Sequence, residues 1–323
     1  SDGGAVGKAR RGERAPGPRF ATPVPPGGYA WWYVDGLSDD GQHAITLIAF
    51  IGSVFSPYYA WSGRRDPEDH CALNVAVYGP RGTRWAMTER RQSALRRSQT
   101  ALAIGPSTMW WSGDRLEVSI DETTSPLPSR IRGRISLMPT ALTTDSFELH
   151  PNGRHHWWPI APLARIEVAL EHPAIRWSGA GYLDTNFGRE PLEDDFCRWD
   201  WCRATHARGS TLLYEVTLPD GRRDALTLIA DRSGSVGTLE PTHNVTLPRS
   251  PVWRVERGTR ADGAEPARVL KTLEDTPFYA RSKVATRLAG ENVLAMHESL
   301  SLDRFKTRIV KLMLPFRMPR QFW

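Results

Sequence analysis

The segment GYLDTNFG, residues 181–188, places a carboxyl group beside aromatic side chains. Asp184 follows Tyr182 by two positions and precedes Phe187 by three. In an extended chain the side chains of Asp184 and Tyr182 therefore share a face. If that face is buried, desolvation raises the pKa of Asp184 and keeps it protonated near neutral pH, able to act as an acid. A buried Asp that caps a turn through backbone N–H groups is the alternative.

A second unusual cluster is RHHWWPIAP, residues 154–162, where two imidazoles precede two indoles. His150, His155 and His156 are close enough in sequence to suggest a metal site. No Cys or carboxylate stands nearby at ligand spacing, so turn histidines with ordinary hydrogen bonds are favoured and no metal is predicted.

The abundance of tryptophan narrows the chemistry that an acid could serve. The 323 residues include 13 Trp, and the chain contains no P-loop, GxSxG or HExxH motif and no GxGxxG after a strand. Protonation of an unactivated alkene generates a carbocation, which an indole face stabilises by about 0.5 to 2 kcal/mol. An acid in a dry, Trp-lined tunnel therefore suits the addition of a proton to a hydrocarbon.

The positive charge of the chain and the apolar residues near its C-terminus favour a membrane surface as a partner. The net charge of +6 and the pI near 9.4 are compatible with nucleic acid or with an anionic membrane. The stretch RFKTRIVKLMLPFRMPR, residues 304–320, interleaves cations with bulky apolar side chains. This pattern is more typical of a membrane interface than of a phosphate groove, so we expect peripheral membrane contact and no nucleic acid; an exposed edge strand is the alternative.

The cysteines and the apolar stretches indicate the compartment. Cys71, Cys197 and Cys202 form an odd set without CxxC spacing, which favours a reducing compartment without disulfides. The most apolar stretch, residues 44–55, is shorter than the ~20 residues of a membrane-spanning helix, and no signal peptide is apparent. We expect a cytoplasmic protein.

Period-2 alternation predicts an all-β chain with few short helices. Strands are expected at residues 43–52, 72–79, 114–122, 130–139, 164–171, 210–231, 251–258 and 292–303. Residues 87–105 fit a basic helix or a twisted exposed hairpin equally well.

Two similar segments suggest a tandem arrangement. GGYAWWYVDG, residues 27–36, and GAGYLDTNFG, residues 179–188, each combine Gly, Tyr and Asp ahead of a run of strands. They predict two similar β-barrel or β-sandwich domains, residues 27–165 and 166–323, after a basic, disordered arm of residues 1–26. The HHWW cluster would then lie at the boundary between the domains.

Several long motifs resemble the carotenoid 1,2-hydratases, or hydroxyneurosporene synthases, of phototrophic bacteria. The resemblance runs from about residue 27 to the end, apart from the final QFW. The motifs that carry it are GGYAWWYVDGLSDDGQHAITLIAFIGSVFSPYYA, AIGPSTMWW, HHWWPIAP, WSGAGYLDTNFGREPLEDDFCRWDW and FRMPR.

The resemblance implies two tandem lipocalin-like antiparallel β-barrel or sandwich domains and a hydro-lyase that uses no metal or redox cofactor. Such an enzyme adds water across the terminal C1=C2 bond of acyclic carotenoids of the lycopene or neurosporene type, giving a tertiary alcohol. The substrate resides in membrane, which implies a cytoplasmic enzyme attached peripherally to the photosynthetic inner membrane. Since the wider group includes pericyclases, and a lipocalin-like carrier also needs an aromatic cavity, both remain alternatives.

The motif positions imply four catalytic residues. Asp184 would protonate C2, Trp157 would hold the cation at C1, and His155 would orient or deprotonate the attacking water, with Tyr182 bonded to Asp184 or to the water. His155 could instead tune Asp184, and His156 could be the inward partner. Substrate-binding candidates are Trp158, Phe187, Tyr29, Trp31 and Trp32, and packing is the alternative for all of them except Phe187.

Overall fold

The computed structural model describes residues 9–10, 17–239, 243–263 and 267–321, and most of them lie in antiparallel strands. The predicted all-β class with few short helices is confirmed. The chain divides into two compact units. The described residues of the N-terminal unit are 9–10, 17–147, 152–191 and 311–321; those of the C-terminal unit are 148–151, 192–239, 243–263 and 267–310.

One large sheet forms the N-terminal unit. Its strands are β1 (Ala9–Arg10), β2 (Tyr29–Ser38), β3 (Ala44–Ile51), β4 (Cys71–Gly79), β5 (Gly82–Arg90), β6 (Leu95–Arg97), β7 (Ala101–Ile104), β8 (Ser107–Trp111), β9 (Leu116–Thr123), β10 (Arg130–Pro139), β11 (Ser146–Glu148), β12 (His155–His172) and β13 (Ile175–Gly188). Helix α1 (Pro57–Trp61) and 3₁₀ turns at Pro67–Asp69 and Gln92–Ala94 connect some of them.

The strand order curls this sheet into a nearly closed barrel. The order is β5-β4-β3-β2-β13-β12-β10-β9-β8-β7-β6, with β11 paired to β1 and β12. The guanidinium of Arg90 on β5 donates to the carboxylate of Glu122 on β9 at 2.8 Å, and both side chains are buried. This ion pair links strands that lie far apart in the sheet order.

The barrel core consists of the side chains that alternate onto one face of each strand. On the strands that matter below it includes Trp32 and Val34 of β2, Leu183 of β13 and Trp158 of β12. Phe20 belongs to the same core and contacts Trp32 edge to face at 5.2 Å. A residue that follows or precedes a core residue by one position points to the opposite face of the sheet.

The C-terminal unit contains a second antiparallel sheet, ordered β17-β16-β15-β14-β22-β21-β20, and a separate β18–β19 hairpin. Its strands are β14 (Arg198–His206), β15 (Gly209–Thr217), β16 (Arg223–Asp231), β17 (Val236–Thr238), β18 (His243–Leu247), β19 (Arg257–Ala261), β20 (Arg268–Asp275), β21 (Tyr279–Leu288) and β22 (Glu291–Ser301). Helices α2 (Leu192–Asp195) and α3 (Leu302–Phe305) belong to this unit. Helix α4 (Arg308–Met313) begins in it and ends among the residues of the N-terminal unit, to which the 3₁₀ turn at Leu314–Phe316 also belongs.

The expected boundary between residues 165 and 166 falls inside strand β12, whereas the compact units divide between residues 191 and 192. The reason lies in the two similar Gly-Tyr-Asp segments. They do not begin two domains; they form strands β2 and β13 of one sheet and pair with each other, Gly36 opposite Gly181 and Tyr33 opposite Asp184. The HHWW cluster on β12 therefore lies within the N-terminal unit.

Two smaller expectations also need correction. Residues 17–26 do not behave as a disordered arm, since the carbonyl of Pro18 accepts the indole N–H of Trp32 and Phe20 is fully buried; residues 1–8 and 11–16 lie outside the described residues. Of the strand expected at 251–258, residues 251–253 form a turn, residues 254–256 lie in no regular element, and β19 begins at Arg257. Of the two alternatives for residues 87–105, the hairpin is found: the stretch is extended with one 3₁₀ turn, and its β6 and β7 pair as a hairpin.

Within the described ranges, no helix is both long and apolar enough to cross a bilayer.

Candidate active site

The predicted catalytic residues share the face of the sheet opposite to the barrel core. Strand β2 presents Tyr29, Trp31, Tyr33 and Asp35 on this face, and the neighbouring β13 presents Tyr182, Asp184, Asn186 and Gly188 directly opposite them. All four β2 side chains are buried, as are Tyr182, Asp184 and Asn186. The alternation of strand residues thus builds a second buried face that is rich in phenol, indole and carboxyl groups.

Asp184 is the centre of a hydrogen-bonded group. Its Oδ2 accepts the phenol O–H of Tyr182 at 2.7 Å and the indole N–H of Trp157 at 2.9 Å. Asp184 is 3% exposed, and Tyr182 and Trp157 are inaccessible to solvent. The predicted proximity of Asp184 and Tyr182 is confirmed, and the turn-capping alternative does not apply because Asp184 lies in the middle of β13.

His155 lies farther along the same face and contacts Tyr29. The two side chains are joined by a hydrogen bond of 3.0 Å between Tyr29 Oη and His155 Nδ1. Their rings are stacked at 5.9 Å, and Tyr29 stacks in turn on Trp31 at 5.0 Å. His155 is fully buried.

The strand register orders these groups along the face. Asp184 is paired with Tyr33, Asn186 with both Trp31 and Trp157, and Gly188 with both Tyr29 and His155. Asp184 and Gly188 are four residues apart, which corresponds to about 13 Å of extended backbone. Trp157 therefore stands between the carboxyl group and the imidazole, an arrangement that allows a proton to be delivered on one side of an indole and accepted on the other.

Four of the predicted residues point to the opposite face. Trp158 and Trp32 belong to the barrel core, where Trp158 donates its indole N–H to the carbonyl of Thr143 at 3.0 Å. Phe187 packs against that core and stacks on His156 at 5.0 Å. The structure thus does not bring Trp158, Trp32 or Phe187 together with Asp184. Each of them directly follows or precedes, on its own strand, a residue that shares the face with Asp184, so its side chain points to the other face. His156 is likewise not the partner of Asp184; its Nε2 contacts the carbonyl of Gly153 at 3.0 Å.

Ile48 and Gly188 belong to this face but are missing from the sequence-based site. Ile48 is the only residue of β3 that is not fully buried, and it lies directly opposite Tyr33, which in turn faces Asp184. Its side chain is partly accessible to solvent, and strand β2 lies between it and Asp184. The alternation within AITLIAFI could have indicated that Ile48 lies on this face, because it separates Ile48 and Phe50 from the core residues Leu47 and Ala49. The sequence alone did not show that both faces of the sheet are buried.

Metal-ligand geometry does not occur in the described part of the chain, where no three His, Cys, Asp or Glu side chains cluster suitably. The groups on this face are the carboxyls of Asp35 and Asp184, three phenols, an imidazole and indoles. Such a set supports proton transfer to and from an apolar molecule.

Comparison with known proteins assigns the chain to a family. The model of the carotenoid hydratase CrtC family matches residues 47–323. The chain belongs to this family. It is 56% identical to the acyclic carotenoid 1,2-hydratase of Thiocapsa roseopersicina, over 99% of this chain and 80% of that protein. It is 51% identical to the protein of the same name from Rubrivivax gelatinosus, over 94% of this chain and 76% of that protein. The predicted family and the predicted class of enzyme, a hydro-lyase, are confirmed.

Solved structures support the fold. A putative AttH protein from Nitrosomonas europaea superposes with a TM-score of 0.58 at 16% identity, covering 84% of this chain and 92% of its own. Kievitone hydratase from Nectria haematococca gives a TM-score of 0.52 at 10% identity, covering 87% of this chain and 92% of its own. The lipocalin-like β-barrel character expected from the sequence is thereby confirmed.

Proposed function

We propose that this chain adds water across the terminal C1=C2 bond of acyclic carotenoids, with Asp184 as the acid. The observation that carries the proposal is the buried carboxyl group of Asp184, held by Tyr182 and Trp157 on an aromatic face. The substrate class follows from the relatives, which are acyclic carotenoid 1,2-hydratases.

The two hydrogen bonds to Asp184 define which oxygen delivers the proton. Oδ2 accepts from both Tyr182 and Trp157. Since an oxygen that already accepts two hydrogen bonds is poorly placed to carry a proton, the acidic hydrogen of protonated Asp184 resides on Oδ1. Transfer of this hydrogen to C2 uses the alkene π pair to form the new C–H bond, and it leaves a tertiary cation at C1.

Trp157 and His155 complete the addition. The indole of Trp157 lies next to the carboxyl group and stabilises the cation at C1 through its π face. Water attacks C1 from the side of His155, and the imidazole accepts the proton that the water loses. The imidazolium then releases its proton to water and the Asp184 carboxylate takes one up from water, so the net reaction consumes only alkene and water and needs no cofactor.

The polyene chain lies along the apolar part of the same face. Ile48 and Phe50 of β3 stand opposite Tyr33 and Trp31, and Phe50 contacts Trp31 at 6.1 Å between ring centroids. Because Ile48 retains accessible surface in an otherwise buried strand, the substrate passes over it to reach Asp184. Trp31 and Tyr29 lie on the same face and remain proposed substrate contacts.

Peripheral membrane binding is proposed for the segment that contains α4 and the following 3₁₀ turn. Ile309, Leu312 and Phe316 are 69%, 64% and 72% exposed, at helical spacing. The exposed cations Arg308 and Arg317 flank them. Insertion of these apolar side chains among anionic lipids fits both the exposed surface and the charge, and it would bring the enzyme to a membrane-dissolved substrate.

An assay with lycopene in detergent tests the function. The expected product is heavier by one water, and in labelled water it carries solvent oxygen at C1 and solvent hydrogen at C2. Asp184→Asn keeps the size of the side chain but cannot supply the proton, so turnover should fall by about 10² to 10⁴-fold. Asp39→Asn is the control, because Asp39 forms an exposed ion pair with Arg165 at the end of the same sheet. Near-parent turnover by Asp184→Asn would exclude this acid; bound, unchanged pigment would indicate a carrier, and a cyclised product without added mass would indicate a pericyclase.

A further inference from the structure

Three adjacent strands cooperate to bring Tyr29 against His155. Tyr29 on β2 and His155 on β12 are not on neighbouring strands; β13 lies between them, and Gly188 is the residue paired with both. The side chains meet over this glycine, with Tyr29 Oη and His155 Nδ1 3.0 Å apart. A contact between strands that are two apart requires the middle residue to leave room.

Gly188 leaves that room for a steric reason. A Cβ at this position would lie 2.6 Å from Cε1 of Tyr29 and 2.8 Å from Nδ1 of His155, both well inside contact distance. The backbone of Gly188 does not adopt positive φ, so the conformation itself would accept alanine. The glycine therefore serves the Tyr29–His155 contact rather than a turn.

The partner that contacts His155 is itself rigid. Tyr29 is 2% exposed, and its ring stacks on Trp31 with an interplanar angle of 19°. A buried phenol held on a strand offers His155 a fixed hydrogen-bonding partner, with no side-chain freedom to lose during the reaction.

We propose that Tyr29 is a positioning residue, which holds His155 through Nδ1 so that Nε2 takes the proton from the attacking water. This inference rests on the proposed function of His155. For Nε2 to accept a proton, the neutral ring must carry its hydrogen on Nδ1, which donates to Tyr29 Oη both before and after the imidazolium forms. The hydrogen bond thus strengthens as the imidazolium forms, and its stabilisation falls on the step in which water is deprotonated.

Tyr29→Phe tests this role because it keeps the ring and the stack on Trp31 but removes the hydroxyl. We expect kcat to fall about 10- to 100-fold, the value of one hydrogen bond to a charged group, with KM for lycopene unchanged within about twofold. Gly188→Ala should produce the same split between kcat and KM by pushing the two side chains apart. The control is Tyr59→Phe, which removes another buried phenol hydrogen bond, to the carbonyl of Gly28 at 2.8 Å; it should lower thermal stability without lowering kcat.

A double-mutant cycle separates positioning from structural damage. If Tyr29 acts through His155, adding Tyr29→Phe to His155→Ala should cost nothing further, as followed by product formed in long incubations. Multiplying losses, or a rise in KM alone, would overturn the proposal. Active Asp184→Asn would contradict the proposed function itself; inactive Asp184→Asn together with fully active Tyr29→Phe would contradict only the role of Tyr29.

Discussion

The indole N–H of Trp157 donates to Oδ2 of Asp184 at 2.9 Å, on the oxygen that also accepts the phenol of Tyr182. This contact gives Trp157 two separable properties. Its π face can stabilise a cation, as the sequence suggested, and its N–H orients the carboxyl group. A substitution that keeps an aromatic face but removes the N–H distinguishes them.

Trp157→Phe should therefore lose activity even though an aromatic ring remains. Removing one donor to a carboxyl group is worth about 1 to 3 kcal/mol, and replacing indole by phenyl weakens the cation–π contribution by a fraction of its 0.5 to 2 kcal/mol. We expect kcat to fall about 10- to 100-fold and KM to change little, in steady-state assays with lycopene. Trp158→Phe, in the core on the other face, is the comparison: it should destabilise the fold and leave kcat nearly unchanged in the folded fraction.

Tyr182→Phe removes the shorter of the two hydrogen bonds to Asp184 while keeping the buried ring. We predict a loss in kcat of about tenfold or more, because the carboxyl group loses the contact that fixes its orientation on β13. The measurement is single-turnover hydration, which reports on chemistry rather than on product release. A rate equal to that of the parent would show that Trp157 alone suffices to orient the acid.

The placement of Asp184 beside Tyr182 could be predicted from the sequence because the relevant information is local. Asp184 and Tyr182 share a face by strand alternation, and His155 and Trp157 do so for the same reason; both pairs are found on one face. The same rule separates Trp158 and Phe187 from Asp184, and it could have excluded them as substrate contacts beside the acid.

The pairing of distant strands could not be predicted from local sequence patterns. The similarity between residues 27–36 and 179–188 suggested repetition, whereas the two segments pair antiparallel in one sheet. Pairing across some 150 residues depends on the whole sheet order, which alternation does not encode. For the same reason, the contact of Tyr29 with His155 over Gly188 required the register of three strands.

Filling the accessible space at Ile48 should obstruct the substrate. Ile48→Trp adds bulk directly opposite Tyr33, which is itself paired with Asp184. We therefore expect KM for lycopene to rise about tenfold, with a smaller change in kcat. Ile48→Leu conserves volume and is the control, expected to match the parent. Unchanged KM in folded Ile48→Trp would mean that the polyene takes another path.

Acid should destabilise the C-terminal unit through His297. Burial lowers the pKa of this histidine below its ordinary value of 6.5, although Asp200 acts in the opposite direction. Below about pH 6.5 the unfolded chain binds a proton that the folded chain excludes, so stability falls as the pH drops from 6.5 toward the folded pKa. His297→Gln retains a donor for the Gly258 carbonyl, which Nε2 contacts at 2.6 Å, but cannot titrate. The melting temperature of this variant should change less between about pH 7 and pH 5 than that of the parent. If the two melting temperatures change equally with pH, other groups cause the effect; His206, whose pKa is also lowered by burial, is one of them.

Membrane binding should depend on the exposed apolar side chains that follow α3. Leu312 and Phe316 are more than half exposed, and each such side chain gains about 1.5 to 3 kcal/mol when fully buried in an apolar phase. Leu312→Ser with Phe316→Ser should therefore weaken binding to vesicles that contain anionic lipid by at least about tenfold in sedimentation assays.

Activity measurements connect that binding to catalysis. The double variant should hydrate lycopene in detergent at the parent rate, since neither side chain lies on the face with Asp184, but should be slow with lycopene embedded in vesicles. Leu127→Ser removes another exposed apolar side chain, from the loop between β9 and β10. In the same loop, the hydroxyl of Ser125 donates to the carbonyl of Phe316 at 2.9 Å. If Leu127 belongs to the same membrane surface, its substitution should add to the loss; Trp61→Ser, on helix α1, is the control for an exposed apolar residue elsewhere. Undiminished vesicle binding by the double variant would contradict docking through this segment.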